Sequence, residues 1–156
     1  MKPRKLGDLS EAIRVASIPP REPSAEYDAW LNACNIRQDL ADFFRQYTPH
    51  GTRSLGAVDF IGADSMREID QMYSTTTGGR YVVFAQCGDG SYVGVGADSG
   101  IPTWIVKGCL EVEDLDPEEV EDGFVPYPGT LSDLLIAAVT DENFPFDPYD
   151  AKELYS

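Results

Sequence analysis

Histidine is almost missing from this sequence, and positive charge is almost missing from its second half. A single histidine, His50, rules out any metal site built on two histidines, and Ser-His-Asp catalysis would have to use it within the Pro49-His50-Gly51 turn. The three cysteines (Cys34, Cys87 and Cys109) are odd in number and far apart. They suit reduced thiols in a cytosol and include no close pair of the kind that marks a zinc site. A Cys₃His set with His50 is possible by arithmetic only, so no metal or cofactor is expected. No apolar run approaches the roughly 18 residues that a membrane span needs. Asp8 and Glu11 interrupt what would be the apolar segment of a signal peptide after the basic Met1–Lys5 start. The expected setting is the cytoplasm, with no membrane partner.

Charge is the strongest feature present. The 156 residues carry a formal charge of −15, from 27 acids against 12 bases. Residues 1–80 hold 11 acids and 10 bases; residues 81–156 hold 16 acids against Lys107 and Lys152 alone. The excess therefore belongs to the second half. Such a field repels nucleic acid and attracts basic partners, so direct nucleic-acid binding is not expected. Its densest part is Glu111–Asp122, with eight acids in twelve residues. As a calcium loop the run fails, because Leu115 takes a ligand position, Pro117 breaks the spacing and the central glycine is absent. It reads as a solvated loop or short helix, as a loose cation site, or as a patch that receives a basic partner.

The length corresponds to about one domain. Leu6, Leu9, Ile13 and Ala16 mark a first helix, which Pro19-Pro20-Arg21-Glu22-Pro23 separates from the rest. Residues 1–23 are therefore expected to be a helix and spacer, and residues 24–156 a single domain with a C-terminal tail. Ser24 caps a helix carrying Tyr27, Trp30, Leu31 and Cys34. Ile36, Leu40, Phe43, Phe44 and Tyr47 form an amphipathic stripe expected to lie on a sheet. Ala57–Ile61 reads as a short strand. Ser65 and Glu68 offer a capping box for a helix with Met66, Ile69, Met72 and Tyr73 inward, and Ser74–Gly79 as a loop. Thr130 caps a last helix on Leu131, Leu134, Leu135 and Ala138. The tail beyond Asp141 is aromatic enough to lie along the body.

Between these helices, Gly79–Lys107 holds three β-rich runs separated by Gly88-Asp89-Gly90 and Asp98-Ser99-Gly100. This is the pattern of an antiparallel meander. Tyr81, Val83 and Ala85 are expected on one face, with Val82, Phe84 and Gln86 on the other. Cys109-Leu110-Glu111-Val112 is a weak further strand. The glycines match no phosphate-binding fingerprint, since Val93 stands where a third glycine belongs and no helix follows. The fold class expected is α+β: a mostly antiparallel sheet, with a central meander at about residues 79–113, covered by helices. A Cys87–His50 nucleophile pair competes with the ordinary reading of Cys87 as a small core residue. An enzyme is not expected.

Over about residues 36–139 the chain resembles the SMI1/KNR4 (SUKH) superfamily. The resemblance rests on the helix Asp39–Tyr47, the strand and helix at Phe60-Ile61 and Ser65–Tyr73, the hairpin Gly88-Asp89-Gly90-Ser91-Tyr92, and the helix Thr130–Val139. It implies an α+β fold of the kind derived above. Many bacterial members look like immunity proteins that neutralise toxins, often nucleases; some eukaryotic members regulate cell-wall synthesis and signalling. The function expected is a non-catalytic immunity protein binding a basic cognate toxin, and the alternative a regulatory or scaffolding module for a host protein. Candidate partner-binding acids are Asp89 at the hairpin tip, then Glu111, Glu113 and Asp114, then Glu118, Glu119, Glu121 and Asp122. Tyr92 and Trp104 are candidate aromatic anchors, each equally suited to the core.

Overall fold

The computed structural model describes residues 24–34, 36–77, 81–110 and 123–155. Among them the chain forms α1 (Ala25–Ala33), α2 (Gln38–Tyr47), β1 (Arg53–Leu55), β2 (Val58–Phe60) and α3 (Ala63–Thr77). The meander follows as β3 (Tyr81–Gln86), β4 (Tyr92–Gly96) and β5 (Pro102–Ile105). Then come α4 (Lys107–Leu110), β6 (Phe124–Pro126), α5 (Leu131–Thr140) and α6 (Pro148–Tyr155). The six strands make one open sheet in sequence order, each antiparallel to the next. The fold is α+β. The N-terminal helix and spacer expected at residues 1–23 lie outside the described residues.

Turn chemistry sets the path of the meander. Gly90 and Gly100 sit at φ 91° and 70°, where a side chain would be strained. The Asp89 carboxylate accepts hydrogen bonds from the Ser91 N–H at 2.8 Å and the Ser91 hydroxyl at 3.2 Å, which closes the first turn. At the second turn the Ser99 hydroxyl accepts from the Ile101 N–H at 3.2 Å. The strict alternation expected along β3 breaks at a bulge: Val83 pairs with Gly94 but Ala85 pairs with Val93. Phe84 is the extra residue, so Ala85 joins Val82 on one face, not Tyr81 and Val83.

The strand expected at Cys109–Val112 is replaced at its start by the short helix α4. The edge of β5 is already taken, since Ile105 pairs with Phe124 and the Val106 N–H donates to the Gly123 carbonyl. Strands β1 and β6 were not anticipated.

The helices follow their stripes closely, with α3 as the exception. Ser24 caps α1, accepting from the Tyr27 N–H at 3.3 Å. The buried Tyr27 hydroxyl donates to Thr48 Oγ1 at 2.8 Å. Leu40, Phe43, Phe44 and Tyr47 of α2 are all buried, and the Phe44 ring lies 6.0 Å from Phe84 of β3. Helix α3 starts at Ala63, so Ser65 lies inside its first turn and not at its cap, and it runs on through the expected loop to Thr77. Met66 points inward as expected, Ile69 is half-buried and Met72 is 66% exposed; the side chain of Tyr73 is outside the described residues. Helix α5 carries a reciprocal capping box between Thr130 and Asp133, and its apolar face is buried.

The tail does lie along the body, as a helix. Asp147 accepts from the Asp150 N–H at 2.9 Å and Pro148 takes the first helical position, a favoured start for α6. Tyr155 at its end stacks on Trp104 of β5 at 5.5 Å and 20°. Phe144 reaches the same indole at 5.9 Å, and Tyr127 meets it edge-on at 5.6 Å. One core cluster thus runs from Tyr27 to Ala151.

Trp104→Ala should lower the unfolding free energy by about 3–5 kcal/mol, measured by urea denaturation. Gly100→Ala should cost about 1–3 kcal/mol, because the residue is at positive φ and an added methyl would meet Arg37 Nη1.

Candidate functional site

The expected anchors belong to the core. Trp104 is 0% exposed and Tyr92 8%, so neither offers a partner surface to bury. Asp89 is exposed at the hairpin tip, where it also holds the turn. The acidic candidates Glu111, Glu113 and Asp114, with Glu118, Glu119, Glu121 and Asp122, lie outside the described residues. Their flanks are described: α4 ends at Leu110 before the run, and Gly123 follows it beside the end of β5.

What the structure adds is a second acidic surface, on the C-terminal segment. Asp141, Glu142, Asp147, Asp150 and Glu153 stand within thirteen positions that include one base, Lys152. Large apolar side chains are exposed among them. Phe146 is 56% exposed, Tyr149 62% and Leu154 54%; the others so exposed among the described residues are Met72 and Ile101. A protein surface tolerates single exposed apolar residues, and three on one short acidic segment are candidate anchors for a partner. The tail lies along the body as expected, with Phe144 and Tyr155 against Trp104, while Phe146 and Tyr149 remain exposed on it.

The segment meets the β3–β4 hairpin. The ring of Phe146 lies so close over Gly88 that a methyl group there would collide with it. Just beneath, the Cys87 thiol is pushed up to about 12, first by burial and then by the carboxylates of Asp89 and Asp147. Two acids far apart in sequence therefore act on one buried atom. Hairpin tip and C-terminal segment make a single acidic corner. Three arginines are engaged elsewhere: Arg37 with Asp39, Arg45 with Asp28 and Asp42, and Arg67 with Glu26 and Asp64.

The Cys34 thiol is raised to about 11 by burial and by Asp70, so neither it nor Cys87 is a thiolate at neutral pH. His50 is exposed in its turn. Among the described residues no group of three His, Cys, Asp or Glu side chains could hold a metal ion, and no helix is long and apolar enough to cross a membrane. A cleft of about 420 Å³ lies between the starts of α2 and α5 and the β4–β5 turn. Its one cation, Arg37, is already committed: Nε and Nη2 donate to Asp39, and Nη1 donates to the Ser99 carbonyl at 2.9 Å. Compared with known proteins, the chain matches no family model, no curated protein and no solved structure.

In the native protein at pH 7.5, Cys87 should be alkylated by iodoacetamide on the order of a thousandfold more slowly than an ordinary thiol, from its thiolate fraction alone. Mass spectrometry of the timed reaction checks this, and rapid labelling of Cys87 would restore a nucleophilic role.

Proposed function

We propose that this is a non-catalytic binding protein of the SMI1/KNR4 immunity type, which neutralises a basic, nuclease-type bacterial toxin in the cytoplasm. One observation carries the reading. Phe146, Tyr149 and Leu154 are exposed amid carboxylates that continue to Asp89 on the neighbouring hairpin. A toxin that grips nucleic acid presents a basic surface, and an acidic partner is steered to it and competes for it. Apolar anchors inside the charged field then slow dissociation. The run Glu111–Asp122 extends the same sign of charge and serves the encounter. Three cysteines outside any disulfide suit a reducing cytoplasm.

The alternative role, a regulatory module for a host protein, would use the same face. An adjacent toxin gene favours the first role and its absence the second.

The toxin encoded beside this chain should bind it in calorimetry, with affinity falling as salt rises. No binding at low salt overturns the proposal. Two charge-reversal variants divide the acidic surface: Glu118→Lys with Glu119→Lys, Glu121→Lys and Asp122→Lys, and Glu142→Lys with Glu153→Lys. Each should slow association about tenfold or more in stopped flow, while Tyr149→Ala should instead speed dissociation.

A further inference from the structure

The acidic corner contains a shallow, open groove of about 400 Å³ between the loop at 143–145 and α6. Phe144 and Pro145 form a buried apolar floor, and Leu154 stands at the rim. Asp150 and Glu153 supply the charged rim. They are three residues apart on α6, with Leu154 four after Asp150, so all three share one helix face. Asp150 Oδ2 accepts from the Phe146 N–H at 3.3 Å, which fixes that carboxylate in place. Glu153 is exposed.

This combination selects its occupant by chemistry. A free apolar ligand would have to desolvate two carboxylates without compensating them. A divalent cation would want six or more oxygen ligands, and beyond the two carboxylates the lining side chains offer only the Asn143 amide. A second copy of so acidic a chain is repelled. What fits is a long aliphatic stem ending in a cation. Arginine fits better than lysine, because its planar fork donates to two acceptors, stacks on rings and gives up its water more easily.

We infer that the groove receives one arginine side chain of the protein partner. The methylenes lie on Phe144, Pro145 and Leu154, and the guanidinium donates to the carboxylates of Asp150 and Glu153. This rests on the binding function proposed above and assigns its specificity contact.

The test is an amide-resolved NMR titration of the full chain with an end-blocked Gly-Ser hexapeptide carrying one arginine, beside its lysine and citrulline counterparts. The arginine peptide should shift the amides of Asn143, Phe144, Asp150, Glu153 and Leu154, the lysine peptide should shift them less, and the neutral citrulline peptide should leave them unmoved. Glu153→Gln and Leu154→Ala, both at exposed positions, should each weaken binding by about fivefold. Equal shifts with citrulline would overturn the inference. So would arginine shifts that spread evenly over acidic positions such as Asp64 and Glu68 on α3; the acidic-surface function would then stand without the groove. Groove shifts together with no toxin binding would support the groove and remove the proposed function.

Discussion

Everything distinctive about the C-terminal half hangs on the stacking of Tyr155 against Trp104. The indole is fully buried on β5 and enclosed by Tyr127, Phe144 and Tyr155. Among the described residues its N–H has no hydrogen-bond acceptor, a cost of about 1–3 kcal/mol for a buried polar group. The aromatic area withdrawn from water offsets that cost, together with ring contacts worth about 0.5–1.5 kcal/mol each beyond their area. The stacking does more than stabilise. It holds the far end of α6 on the sheet while Asp147 and Pro148 fix the near end, so the helix is pinned at both ends. An acidic tail that would otherwise be repelled by its surroundings is kept in one place.

The acids of this chain are not equivalent. Asp89 closes a turn, Asp133 completes a capping box and Asp147 starts α6, and each receives backbone N–H groups. Such hydrogen bonds give each of these carboxylates a part in the local structure. Glu142 and Glu153 are exposed and receive no such hydrogen bond from the described residues. Negative charge at these positions brings self-repulsion and no fold, which is what a surface kept for a cationic partner would look like.

Local patterns made the middle of the fold readable. The Gly-Asp turns with apolar runs between them specify the meander, and the stripe from Leu40 to Tyr47 specifies α2, because both depend on neighbours within four residues. The misses have non-local causes. Strands β1 and β6 are three residues long, and each is a strand only because another strand pairs with it. Phe124 finds Ile105 across the acidic run, which no local pattern reports. The bulge at Phe84 follows from pairing register, so period-two counting placed Ala85 on the wrong face. Serine and threonine at 74–77 argue against helix, yet α3 continues through them, a case of context overriding propensity. Trp104 was ambiguous for a different reason: both faces of the meander are apolar, and alternation cannot tell a covered face from an open one. The candidate surface was half legible. Its acids could be counted, but Phe144 and Phe146, two residues apart, have opposite fates because the loop turns between them.

That divergence matters for how the surface works. Phe144 faces Trp104 and Phe146 covers Gly88, so two successive aromatics bind the loop to the sheet on one side and to the hairpin on the other. The loop is held, and with it the groove wall that Phe144 and Pro145 provide. A partner's side chain entering there would order little that is not already ordered, and ordering is a large part of what association costs. An acidic tail free in solution would offer the same charge for steering but no fixed floor against which to close. Anchoring the tail turns diffuse attraction into a site with a shape, and it does so with aromatic residues that composition alone assigns to the core.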